Sequence, residues 1–164
     1  MHYNEHFFKP SSTKLLQVPH RQQSYAGECL ATCVAMILAY YNASFNYSRV
    51  VQTLQIEPEL GTPFSSIKKL ERLGILVGYR ENGSLETIHR LLTYGWPCIM
   101  SVDTGELAYW QVSTGHAVVL AGMDSDSVYL HDPEMTEGPI QVTIDEFYLA
   151  WYEQLLSYAV LSVL

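Results

Sequence analysis

Basic residues are scarce in this sequence: nine Lys and Arg stand against seventeen Asp and Glu, a net charge of −8 over 164 residues. Nucleic acids and anionic membranes want clustered positive charge, so neither is an expected partner. Long apolar runs are missing too. The longest uncharged apolar stretch, Cys29 to Tyr41, has 13 residues, short of the roughly 20 that cross a bilayer, so no membrane insertion is expected. Met1 to Pro10 lacks the apolar centre of a secretory signal. Cysteine is sparse, at 29, 33 and 98 only. Three thiols make no disulfide scaffold and point to a reducing, cytoplasmic setting, each thiol being kept for reactivity or packing. The glycines are scattered as caps and turns and form no phosphate-cradling loop. His2 and His6 are four apart but have no helical pattern or third ligand. His131 and Asp132, adjacent on a strand, would point to opposite faces and cannot join His116 around one ion. No metal or cofactor is expected.

What remains is an ordinary globular composition, 48% apolar and 16% charged, sized for one domain. Residues 1–17 read as an N-terminal arm and residues 18–164 as the domain, with a helical half, 18–74, and a mainly sheet half, 75–164. After Gly27 the apolar residues Leu30, Cys33, Val34, Ile37, Leu38 and Tyr41 recur at helical spacing. Ala31, Ala35, Met36 and Ala39 fill the positions between, so this helix is expected to be buried nearly all round. Shorter helices are predicted over 47–54, from Gly61-Thr62-Pro63 through Leu73, and from Ser84 to about Leu92. Strands are predicted over 75–79, 98–102, 117–122, 128–131, 140–143 and 158–163, with Asp124 to Ser127 as a hairpin turn and a short helix over 144–151. Helices first and an antiparallel sheet second is an α+β order.

Cys29 falls in the first turn of the buried helix, where free N–H groups and the macrodipole favour a thiolate. A free cysteine is most often a structural thiol, and Cys33 and Cys98 are read that way. His116 opens the most apolar strand, and Asp132 ends the next one before Pro133. The hairpin brings both to one edge of the sheet. Seven steps lead from His116 to Met123 and four from Val128 to Asp132, so a bulge or side-chain reach must close the register. Thiol catalysis needs a base, a group orienting that base, and an oxyanion site. Gln23, six residues before Cys29, offers an amide donor beside the Cys29 backbone N–H, and Gln22 is the alternative. Each signal is weak alone; the order Gln, Cys, His, Asp is what carries the reading.

The stretch VPHRQQSYAGECLATCVAMILAYYN resembles the bacteriocin-processing, double-glycine leader cysteine peptidases and their papain-like relatives. Gln23, Cys29, Cys33 and Tyr40-Tyr41 fit that pattern. GTPFSSIKKLERLGI, WPCIMSV and GHAVVLAGMDSDSVYLHDP are similar to its later segments, and the likeness covers about residues 18–152. It implies a papain-like fold with Cys29 as nucleophile, His116 as general base and acid, Asp132 as orienter and Gln23 as oxyanion donor. It also implies a peptide or small-protein substrate cut after Gly-Gly, and a transporter partner. The family usually has Asp-Cys-Gly where this chain has Glu28-Cys29-Leu30. Its best-known members are domains of exporters, so this chain is expected to be a stand-alone member. Tyr109 and Trp110 are expected to line the substrate cleft on a mobile wall over 104–114, and Leu30 either narrows its opposite side or packs into the core. The rival readings are a thiol acyltransferase or transpeptidase using the same site, and a non-catalytic peptide-binding module.

Overall fold

The computed structural model describes residues 8–163; His2 and His6 lie outside the described residues. The buried helix forms where its period puts it. This helix, α1 (Cys29–Tyr40), buries every residue from Leu30 to Leu38. Such a helix has no solvent face and must lie inside the molecule. It packs against the sheet, with α2 (Tyr47–Leu54) and a 3₁₀ helix, Phe64–Leu73, beside it. The sequence predicts a helix for the latter segment. The structure gives it the tighter 3₁₀ winding, which seldom runs so long, ended by Gly74 at φ +80°.

The remaining elements are β1 (Leu76–Arg80), α3 (Leu85–Thr93), β2 (Cys98–Asp103), β3 (Gly115–Met123), β4 (Ser127–His131), β5 (Ile140–Thr143), α4 (Ile144–Tyr152) and β6 (Tyr158–Ser162). The strands make one antiparallel sheet in the order β1-β6-β2-β3-β4-β5. Strand residues alternate between its faces. Ile99, Ala117, Val119 and Ala121 join the cluster around α1. Cys98, Met100, Val102, Val118 and Leu120 join a second cluster under α3 and α4. Helices therefore cover both faces of this α+β fold, which explains why β2 and β3 read as nearly continuous apolar runs.

A β-bulge closes part of the register gap of the hairpin. Leu120 pairs with Leu130, but Gly122 pairs with Tyr129, leaving Ala121 as the extra residue. The Ala121 carbonyl accepts the Leu16 N–H at 2.9 Å, and Met123 O accepts the Thr13 N–H at 2.8 Å. The described part of the arm is thus strapped to the sheet, and Val18 enters the core. The turn itself is held by Asp124, whose Oδ1 accepts from the N–H groups of Asp126 and Ser127.

Candidate active site

Cys29 is the first residue of α1, and two glycines shape the approach to it. Gly27 has φ +88°, and a Cβ there would lie 2.8 Å from the Gly61 backbone nitrogen. Gly61 also has positive φ, and its own Cβ would meet the Gly27 carbonyl oxygen. Two backbones in direct contact leave no room for a side chain at either position. Glu28 accepts a 2.6 Å hydrogen bond from the Tyr47 hydroxyl, tying the start of α1 to α2.

His116, near the start of β3, is buried at 8% exposure. Its Nε2 lies 2.7 Å from Asp132 Oδ1. With Nε2 so engaged, Nδ1 is the ring nitrogen left for Cys29, whose thiol feels this imidazole. Burial alone would lower the His116 pKa. Hydrogen bonds and charge from Asp132 and Cys29 outweigh it and raise the value to about 9. Burial alone would likewise raise the Cys29 thiol. The hydrogen bond and charge of His116, helped by the Ala117 and Leu30 backbone, prevail and lower it. Both shifts favour a thiolate–imidazolium pair. Cys33 and Cys98 are fully buried thiols, and burial raises both, Cys98 to about 12. Of the three, only Cys29 sits in surroundings that favour ionisation.

Asp132 is wholly buried, yet its carboxyl is held below its ordinary value. Burial opposes this, but His116, the Glu134 backbone and Trp110 outweigh burial. Oδ1 accepts from His116 and from the Glu134 N–H at 2.9 Å. Oδ2 accepts from the Tyr109 hydroxyl at 2.7 Å and from Trp110 Nε1 at 2.9 Å. The Trp110 ring also meets the His116 ring edge-on, with centroids 4.9 Å apart.

That arrangement gives Tyr109 and Trp110 a contact that the sequence does not announce. They are expected on a mobile wall, but their polar atoms are fixed to the buried carboxylate. The wall is pinned further by Thr104, whose Oγ1 donates to Val112 O at 2.6 Å and accepts the Thr114 N–H. Leu30 takes the second of its two expected places: at 3% exposure it belongs to the core around α1, because the helix turns it inward. Gln23 and Gln22 both reach the turn after β4, donating from Nε2 to Glu134 Oε2 at 2.9 Å and to Glu134 O at 3.0 Å. Sequence reasoning missed Glu134; its place just after Asp132-Pro133 was the only available signal. It missed the contact of buried His131 too, whose Nδ1 faces His20 Nδ1 at 3.0 Å.

A cleft of about 550 Å³ is lined by residues 60–64, Ser101, Thr114, Gly115 and Gln154, and so reaches the residue before His116 in the chain. A cavity of about 640 Å³, around Tyr41, Arg49 and Arg72 at the opposite end of α1, touches none of Cys29, His116 and Asp132. The smaller cleft is not lined by these three side chains either, but it includes Gly115, next to His116 in the chain.

The Peptidase C39 family profile matches residues 17–160. No curated protein matches the chain. Among solved structures, a C39-like peptidase from Bacillus anthracis aligns with a TM-score of 0.76 and 18% identity, covering 93% of this chain and 98% of that one. A double glycine motif protease from an AMS/PCAT transporter, in complex with the leader peptide, aligns at 0.67 with 22% identity, covering 96% and 99%. The peptidase domain of Streptococcus ComA, a bifunctional ABC transporter in a quorum-sensing pathway, aligns at 0.69 with 13% identity, covering 90% and 100%. Identities this low speak to fold, whereas the family match extends over nearly the whole chain. The chain belongs to the Peptidase C39 family and is a papain-like cysteine peptidase.

Proposed function

We propose that the protein hydrolyses a peptide bond after Gly-Gly in a leader peptide or small protein, through an acyl-enzyme on Cys29. The observation that carries this reading is the 2.7 Å contact of the His116 imidazole with the buried Asp132 carboxylate, with the Cys29 pKa lowered and that of His116 raised by their mutual influence. The Cys29 thiolate attacks the scissile carbonyl carbon, and the C–S bond forms as the carbonyl oxygen takes up negative charge. Gln23 Nε2–H and the Cys29 backbone N–H serve as donors to that oxygen. The His116 imidazolium gives its proton to the leaving nitrogen and the C–N bond breaks, leaving a thioester. Neutral His116 then takes a proton from water, whose oxygen displaces the thiolate and releases the acid. Asp132 keeps the ring oriented throughout and stabilises its positive charge.

Two of the structural neighbours come from transporters, which supports a substrate handed on to a transporter, as in bacteriocin processing. Three free thiols suit a reducing, cytoplasmic compartment.

The test is a peptide series varied at the two residues before the cut, incubated with the protein and with Cys29→Ala, the products read by mass spectrometry. Cleavage after Gly-Gly, lost with Cys29→Ala and strongly reduced when Ala replaces the glycine next to the cut, is the expected result. Equal cleavage of bulky and glycine variants would remove the double-glycine assignment. Products joined to an added amine would instead identify a transpeptidase.

A further inference from the structure

We propose that Glu134 is a positioning residue for the oxyanion site: its carboxylate fixes the Gln23 amide so that N–H, and not C=O, is presented to the substrate. The inference rests on the peptidase reading above and adds a residue to it. Gln23 Nε2 donates to Glu134 Oε2 at 2.9 Å. A side-chain amide has two orientations of nearly equal shape, related by a half-turn, and only the partners decide between them. An ionised carboxylate is purely an acceptor. Turning the Gln23 amide would set its oxygen against a Glu134 oxygen with no proton between them. One N–H is held by Glu134, and the second remains available for a developing oxyanion.

The opposing tendency is visible in the same side chain. Gln23 Oε1 is buried with no hydrogen-bond partner among the described residues. An amide without a fixed partner gains by turning that oxygen toward any donor, including water. Glu134 is what holds it in place. The rest of the turn reinforces the connection: the Gln23 N–H donates to Pro133 O at 2.7 Å, and the Glu134 N–H donates to Asp132 Oδ1 at 2.9 Å. Residues 132–134 therefore carry both the carboxylate behind His116 and the clamp on Gln23. The Glu134 side chain is exposed, so replacing it disturbs little packing and leaves its backbone bonds intact.

Two reactions of one thiol separate this role from a structural one. A peptide aldehyde ending in Gly-Gly takes the Cys29 sulfur onto its carbonyl carbon, the thiol proton passing to the carbonyl oxygen, which then lies in the oxyanion site. Iodoacetamide alkylates the same sulfur with loss of iodide and develops no such oxygen. Glu134→Ala should weaken aldehyde binding about tenfold, less than the 10²–10³ that follows loss of a whole donor. The alkylation rate of Cys29 and the Tm should stay unchanged. Glu134→Gln, whose amide oxygen still accepts, should recover part of the loss, and Glu134→Ala should cost nothing further in a Gln23→Ala background. Full aldehyde affinity in Glu134→Ala, or an undiminished loss in the Gln23→Ala background, overturns the clamp while leaving the peptidase reading intact. An equal fall in alkylation also overturns it, placing Glu134 with the thiol instead. An absence of aldehyde adduct in the unaltered protein overturns the reading on which the clamp rests.

Discussion

His116 and Asp132 meet at 2.7 Å although they do not face each other in the sheet. His116 pairs with Val102 on β2, while His131, one residue before Asp132, pairs with Val119. The bulge at Ala121 removes one residue of the mismatch, and the reach of the two side chains closes the rest. The contact thus depends on charge and geometry that a neutral side chain keeps only in part.

Asp132→Asn should lower kcat/KM while preserving the fold, with a smaller loss than His116→Ala. The sign of the pH effect follows from the shifts. Activity should rise with pH through the lowered Cys29 value and fall as His116 loses its proton near 9. Asp132 is one of the groups raising His116, so its neutral replacement should move the alkaline limb to lower pH. A pH–rate profile of both proteins checks this; an unmoved alkaline limb would argue against Asp132 as the source of the shift.

Tyr109→Phe removes a donor to a wholly buried carboxylate. Hydrogen bonds to charged groups contribute about 1.5–3 kcal/mol, so urea unfolding should show a loss of that order. Trp110→Phe should cost a similar amount and also slow turnover, because the indole both donates to Asp132 and packs against His116. Unchanged stability in both would argue against these hydrogen bonds as anchors of the segment.

His131 should make the protein sensitive to mild acid. Burial, then the charge of neighbouring His20, lowers its pKa to about 4, against about 6.5 in an unfolded chain. The folded state keeps this ring neutral while the unfolded state protonates it. Its contribution to stability is full above about pH 6.5 and is lost as pH falls toward 4. Unfolding midpoints at pH 7 and pH 5 should differ in the native sequence and differ less in His131→Asn.

Much of the fold was legible in the sequence because its signals are local. The period of α1, the caps at Ser84 and Gly74 and the turn at Asp124 each act within a few residues. The strand order was not legible, since β6 inserts between β1 and β2 through contacts distant in sequence. Gln23, Cys29, His116 and Asp132 could be picked out by residue type and order. The partners of their side chains could not. Tyr109 and Trp110 look like cleft aromatics until the chain folds them onto Asp132. Leu30 looks like a neighbour of the nucleophile until the helix turns it into the core. Glu134 is an ordinary surface acid until its distance to Gln23 is known.

The central claim is that Cys29 is ionised by His116, and alkylation of the intact protein tests it most directly. Iodoacetamide modification should be followed across pH, with the modified residue mapped by mass spectrometry, in the native sequence and in His116→Ala. The account predicts that Cys29 reacts first and retains its reactivity below the ordinary thiol range. In His116→Ala that reactivity should move to higher pH, because burial then acts unopposed by the imidazolium. Preferential modification of Cys33 or Cys98, or an identical pH profile in His116→Ala, would contradict it.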